Sequence, residues 1–451
     1  MIKSIRTAKR SNEKFHELPI IKLGKLSQSG LNAIYVDIHD QKQSILGFGG
    51  AITESSAFLL SKLNQKDRTE ILSAYYSENG LKYNLGRISI GSCDFGLSNY
   101  DYIADDDYTL KTFDISYEEK YILPVIREIH KLRNMPISLV ASPWSPPAHF
   151  KTTKDKNNGG KLIKEYWDVY AEYLVKYVFE MRKKGADIFA FNLQNEPMAT
   201  QTWDSCIFSG EEERDFIKSS LIKALNKYDL NDVKLLIWDH NRDNIVEHAS
   251  IIYDDAQTNK YVWGTAYHWY VSDDYNNLST LHKMYPDKHI LFTEGCVELV
   301  NEKSHAVGMD AIGNFENGLT YARNMINDFN NFNEGFIDWN ILLDNKGGPN
   351  HKNNFCEAPI MVNIDTSQII KNYSYYVIGH FSKYVKKGAK RVQVDHSLGK
   401  DVFVTAFLNP DGKKIVVVSN QGWIKNFNLF IDGKSVTLSI PDKSITTYII
   451  D

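Results

Sequence analysis

Cysteine is scarce in this chain: four in 451 residues, Cys93, Cys206, Cys296 and Cys356, with no C-x-x-C pair. That spacing argues against a zinc knuckle or a redox couple, and in a chain of this size it reads as free thiols in a reducing compartment. No apolar run reaches 18 residues, so no integral membrane segment is expected. The opening stretch MIKSIRTAKRSNEKFHELPI is basic but lacks the apolar core of a secretory signal, and a cytoplasmic location is the expectation. An excess of one charge is missing too. Lys+Arg total 52 against 56 Asp+Glu, for a net charge of −4, which excludes the basic footprint of a nucleic-acid or anionic-membrane partner. The 13 histidines form no H-x-H and no H-E-x-x-H, the signatures a metal-dependent barrel hydrolase would show. No G-x-G-x-x-G opens a helix, and Gly347-Gly348-Pro349-Asn350 is too weak a match for a phosphate loop, so neither a cofactor nor a metal is expected. There is no internal repeat and no low-complexity linker, and nothing assigns an oligomeric state.

Aromatic residues are plentiful: 8 Trp, 26 Tyr and 22 Phe, or 12% of the chain. Such a load serves a core, and it also serves a protein that stacks planar side chains on sugar rings. From about residue 46, short apolar runs alternate with longer amphipathic ones. Candidate strands lie at 46–53, 83–90, 137–141, 187–193, 233–239, 262–270, 289–294 and 335–340, with helical patterns between them. The clearest helix, 116–133, places Ile122, Val125, Ile126 and Ile129 on one stripe with Ser116 as its expected N-cap. Eight strands alternating with helices predict a (β/α)8 TIM barrel, with a doubly wound sheet as the alternative.

After about residue 386 the pattern changes to short strands separated by turn signals such as NPDG (409–412) and DG (432–433). This predicts an all-β sandwich. Residues 1–45, polar with short β-like pieces, have no other evident home and are expected to complete it. The expected organisation is therefore 1–45 and 386–451 in a sandwich built from both chain ends, and 46–385 in a catalytic barrel.

Barrel chemistry sits at the C-terminal ends of strands. There the sequence offers Arg87, Asp94, Trp144, Asn195-Glu196, Trp238-Asp239-His240-Asn241, His268-Trp269-Tyr270, Glu294 and Trp339-Asn340. Two glutamates at one barrel mouth are the minimum equipment for glycoside hydrolysis, and Asn195 is a natural donor to a sugar 2-hydroxyl. A lone glutamate at a strand end is more often a cap or salt-bridge residue, and a lone tryptophan more often core. Glu54 and Glu298 are read as decoys outside the polar cluster, and Asp105-Asp106-Asp107 as a solvated loop. A non-enzymatic sugar-binding barrel could dispense with either glutamate, so it ranks below an enzyme.

Taken together, GFGGAITESSA, YNLGRISIGSCDF, ASPWSPPA, QNEP, HWY, FTEGCV, DWN, GGPN and YYVIGHFSKYV resemble glycoside hydrolase family 30 from about Gly47 to the C-terminus. The stretches after QNEP and at IWDHNRDN are similar to microbial members. The resemblance implies a barrel with a sandwich from both chain ends and a retaining β-glycosidase acting on a carbohydrate or glycoside. It makes Glu196 the acid/base and Glu294 the nucleophile. Asp94, Trp144, Asn195 and Trp339 would line the sugar pocket, with Arg87 supporting the nucleophile and His268 and Tyr270 at the wall. The expected activity is an exo-acting β-glucosidase of glucosylceramidase type. Endo-β-1,6-glucanase and β-xylosidase are the alternatives within the family.

Overall fold

The structure, a computed structural model, describes residues 1–25, 32–300 and 306–451. Eight parallel strands close into a barrel: Gly47–Ala51, Leu85–Ile90, Ser138–Pro143, Ile188–Asn192, Lys234–Asn241, Val262–His268, His289–Glu294 and Gly335–Asp338. Each falls within or beside the run that apolar patterning marked. The helix expected at 116–133 is divided. Ser116–Glu119 form a 3-10 turn, and the α-helix runs Ile122–Arg133 with Tyr121 at its start. Ser116 is therefore not the helix cap; its hydroxyl donates to Asp114 within an Asx-type turn. Among the described residues, no helix is long and apolar enough to cross a membrane.

Both chain ends meet in a second layer. Strand Ile2–Ala8 lies between Glu13–Ile21 and the last strand, Ser444–Ile450, while Ala33–Ser44 lies between Lys390–His396 and Lys425–Ile431. These belong to a ten-stranded sheet that builds the β-sandwich. Its core holds Ile2, Ile34, Val392, Val416, Leu429 and Ile450, the alternate residues of their strands. The DG turn forms as expected, with Asp432 and Gly433 both left-handed (φ 51° and 67°).

Barrel helices Phe315–Asn330 and Tyr373–Ser382 pack on the sandwich. At this junction the buried ring of His380 sits between Thr447 Oγ1 at Nδ1 (2.9 Å) and Thr7 Oγ1 at Nε2 (2.9 Å). Thr447 also donates to the His380 carbonyl, so its oxygen is left to accept from Nδ1–H, and Nε2 accepts from Thr7. The neutral imidazole satisfies every partner, and burial pushes its pKa down to about 3.

The sign of the resulting pH dependence follows. The unfolded chain binds a proton at this histidine below about 6.5 while the folded chain does not, so stability is lost as pH falls through the window from about 6.5 to about 3. At pH 5 the loss relative to pH 8 is about 2 kcal/mol. His380→Asn keeps a polar side chain and removes the titration. Urea unfolding at pH 8 and pH 5 should show a smaller stability difference in the variant than in the parent by about that amount. Equal differences in the two proteins would rule the coupling out.

Candidate active site

Strand periodicity builds the site. Seven inward residues, Leu85, Val140, Ala190, Leu236, Ala266, Leu291 and Ile337, one from each of seven strands, form an apolar plug inside the barrel. Two positions further along five of those strands stand Arg87, Ser142, Asn192, His268 and Thr293, all buried. The same face that fills the barrel thus turns polar at its C-terminal mouth.

Strand Lys234–Asn241 breaks this rule. Its pairing with the next strand slips between Ala266↔Trp238 and Tyr267↔His240, leaving one extra residue. Trp238 and Asp239 take left-handed backbone conformations (φ 72° and 49°). This bulge brings Asp239 into the polar layer, where Arg87 Nη2 (2.6 Å), Asn192 Nδ2 and Thr293 Oγ1 (2.5 Å) donate to it. Strain at non-glycine residues of this kind collects at functional sites. Glu196 is also left-handed (φ 49°). Its N–H donates to the Asp239 carbonyl (3.0 Å), and the N–H of Asn195 donates to that of Pro143 (2.7 Å), so two neighbouring strands fix the turn carrying both residues.

Arg87 is the hub. Its guanidinium donates to Glu294, Asp239, Asn195 Oδ1 (2.8 Å) and Ser142 Oγ (3.0 Å). Its Cζ lies 4.7 Å from the ring centre of Trp144 and 5.6 Å from that of Trp339. Those two rings stack on each other at 5.3 Å and 17°. Glu294 also accepts from Tyr270 Oη (2.9 Å). Glu196 faces His268 Nδ1 at 3.3 Å and accepts from Gln201 Nε2 at 3.4 Å, while His268 Nε2 faces Asp239 at 3.1 Å. Asp94 accepts from Asn350 (3.2 Å) and Asn354 (3.1 Å).

The electrostatics follow from crowding. Burial favours a neutral His268, but Glu294, Asp239 and Glu196 around it lift the imidazole to about 9. Burial would likewise raise Glu196, yet the bond to His268 and the charge of the histidines hold it down to about 2. Glu294 is raised by burial and by the facing Glu196, against His268 and Arg87. Asp239 is held below the usual carboxylate range because Arg87 and His268 outweigh its burial. Burial lifts Asp94 to about 7, despite its amide donors. Carboxylate oxygens face both His268 nitrogens, so a single proton is shared along the line Glu196–His268, whichever group carries it.

A cavity of about 370 Å³ opens over this cluster. Asp94, Trp144, Asn195, Glu196, Tyr270, Glu294 and Trp339 line it, while Arg87 and His268 lie beneath as supports. Glu298 also lines the cavity and is not the outlying residue that the sequence suggested. Its two-residue strand with Val297 pairs with Cys356–Glu357, which carries it to the mouth. Glu54 does stand apart, accepting from Leu97 N and Tyr117 Oη. Sequence reasoning gave no role to Asp239, because the bulge is invisible to a period of two. It also gave none to Gln201, Asn350 or Asn354, which reach the site from loops.

Among the described residues, Glu196, His268 and Glu294 have ligand-type atoms within 4.8 Å of one another, close enough to hold a cation. Those atoms are already committed: both His268 nitrogens face carboxylates, and Glu294 is bound by Arg87 and Tyr270.

The family model for the glycosyl hydrolase family 30 TIM-barrel domain matches residues 45–385, and that for the family's β-sandwich domain matches residues 388–448. The chain is 34% identical over 392 residues to the lysosomal acid glucosylceramidase of Mus musculus, covering 84% of this chain and 75% of the mouse protein. Among solved structures, SrfJ from Salmonella typhimurium superimposes with a TM-score of 0.93 at 33% identity, covering 100% of this chain and 99% of that one. The endo-β1,6-glucanase BT3312 superimposes with a TM-score of 0.85 at 29% identity, covering 100% and 99%. With its barrel and sandwich both matched and two glutamates facing each other across the mouth, this chain belongs to glycoside hydrolase family 30 and is a glycosidase.

Proposed function

We propose that this chain is a retaining, exo-acting β-glucosidase that releases glucose from terminal β-D-glucosides by double displacement. The spacing of the two carboxylates carries the retaining part. Oxygens of Glu196 and Glu294 lie within 4.8 Å of each other. A retaining site holds its carboxyl groups about 5–5.5 Å apart, whereas an inverting site needs about 6.5–9.5 Å to admit a water. Glu294, paired with Arg87 and oriented by Tyr270, attacks the anomeric carbon. Glu196 protonates the leaving oxygen, then takes a proton from the water that opens the glycosyl ester. The proton that Glu196 delivers is stored one hydrogen bond away on His268. Exo action is supported by the bracing of Asp94. Asn350 and Asn354 tie that residue to the segment after the eighth strand, which walls the sugar pocket at that point. The name of the mouse relative favours a β-glucosyl unit, and that of BT3312 keeps β-1,6 linkages among the substrates to be tried.

Removing each glutamate separates their roles. Glu294→Ala should lose nearly all turnover while remaining folded, and added azide should yield an α-glycosyl azide. Near-normal hydrolysis by this variant would exclude Glu294 as nucleophile. Glu196→Ala should lose about 10²–10⁴-fold on substrates with poor leaving groups and far less on activated aryl glucosides, with azide giving the β-glycosyl azide. Equal impairment on both would show that Glu196 is not the acid. For exo action, pustulan digests should release glucose alone from the earliest times; mixed internal fragments would mark an endo-β-1,6-glucanase.

The shared proton sets the alkaline limb of the pH profile. The Glu196–His268 pair keeps it up to about pH 9, the value to which His268 is lifted, and activity should fall as pH rises through that point. In His268→Asn the store is gone, so the proton sits on Glu196 alone and leaves at lower pH. The alkaline limb of kcat/KM should then move down by at least about one unit. An unmoved limb would separate His268 from the proton.

A further inference from the structure

A second cavity of about 470 Å³ adjoins the catalytic one, and Tyr270, Val271, Cys296 and Glu298 line both. The second is thus the continuation of the first. The glucosyl unit belongs over Trp144 and Trp339, where Asp94 is braced, so the continuation is room for the leaving group.

Its walls are mixed: Trp269, Val271, Val297 and Val307 give an apolar part, and the rest is polar. Ser272 and Asp273 come from the loop after the sixth strand, and Asn317, Thr320, Arg323 and Asn324 from helix Phe315–Asn330. Arg323 Nη2 stands 3.6 Å from Asp273 Oδ2, which puts five potential N–H donors beside a carboxylate acceptor. Among the described residues, Arg323 Nε and Ser272 Oγ are buried without a hydrogen-bond partner. Those two atoms lie out of a ligand's reach, whereas the Arg323 and Asp273 side chains keep 36% and 57% of their surface exposed and can meet one. A lipid chain laid there would strip water from Arg323 and Asp273 and return nothing. A pyranose returns both donors and acceptors. The exposed Val271 and Val307 at this cavity offer apolar contact of the size of a sugar's C–H face.

We infer that this continuation is a binding site for a sugar leaving group, with Arg323 and Asp273 selecting a glycosyl rather than a lipid aglycone. The inference rests on the β-glucosidase reading above. The test compares three substrates: 4-nitrophenyl β-D-glucoside, octyl β-D-glucoside and gentiobiose. The parent should show a higher kcat/KM for gentiobiose than for octyl glucoside. Arg323→Met and Asp273→Ala should each lower kcat/KM for gentiobiose about 10- to 100-fold, as expected when a hydrogen bond to a charged group is lost. Both should leave the aryl glucoside within twofold. Thr320→Val, a surface change on the same helix, should lower gentiobiose hydrolysis several-fold and leave the aryl substrate alone.

A parent inactive on all three glucosides would defeat the β-glucosidase reading itself. A parent that hydrolyses the aryl glucoside but prefers octyl glucoside to gentiobiose would overturn only the sugar site. So would variants in which gentiobiose and aryl glucoside fall together, or in which neither falls.

Discussion

One buried cation holds this site together. Arg87 has no exposed surface, yet it neutralises Glu294 and Asp239 and donates to Asn195 and Ser142. Without it, His268 would still face Glu196 and Asp239, but Glu294 would lose the cation bonded to it in a medium of low dielectric, a state that costs several kcal/mol per unpaired ion. The guanidinium is suited to the task because its planar fork reaches several acceptors at once, and because its faces can lie against aromatic rings. Trp144 and Trp339 take up that contact, so the stacked rings are positioned by the same group that positions Glu294. The aromatic pair and the Glu294 carboxylate are therefore not independent parts.

Much of the fold was legible in the sequence, for a physical reason. A barrel strand buried on both sides must be apolar along its length, and its end must turn polar where it meets solvent and substrate. Both properties are local, and all eight strands stand where those runs lie. Glu196 and Glu294 could be found in the same way, as carboxylates at strand ends. What escaped depends on geometry between strands. Asp239 enters the cluster because strand Lys234–Asn241 carries one residue too many for its partner, a fact of pairing rather than of composition. Asn350 and Asn354 reach Asp94 across some 250 residues of chain. Glu298 joins the cavity only because a two-residue ladder with Cys356–Glu357 carries it there. Ser116 failed as a cap because the chain first makes a 3-10 turn and only then begins the α-helix.

The sandwich is tied to the barrel by polar as well as apolar contacts. His380 belongs to a barrel helix and its two partners, Thr7 and Thr447, to the first and last strands. Strand Ile2–Ala8 pairs with Ser444–Ile450 over its whole length, so both ends of the chain are closed at the place where that histidine is buried. An imidazole with both nitrogens satisfied fixes the relative position of helix and strands in a way that a purely apolar contact would not.

The two adjoining cavities are built on different physics. Around the two glutamates, Arg87 and His268 are each shared between two buried carboxylates, so the geometry is rigid and a change in one group alters the proton affinity of the others. In the adjoining cavity, Arg323 and Asp273 are partly exposed and form a looser pair at 3.6 Å. Groups of that kind contribute little to folding, since exposed ion pairs are worth about 0–1 kcal/mol. They contribute more once a ligand excludes water from them. The rigid cluster can therefore stay the same while the looser rim changes beside it. Relatives named for a glucosylceramide and for a β-1,6-glucan can share the cluster on this principle and differ at the rim.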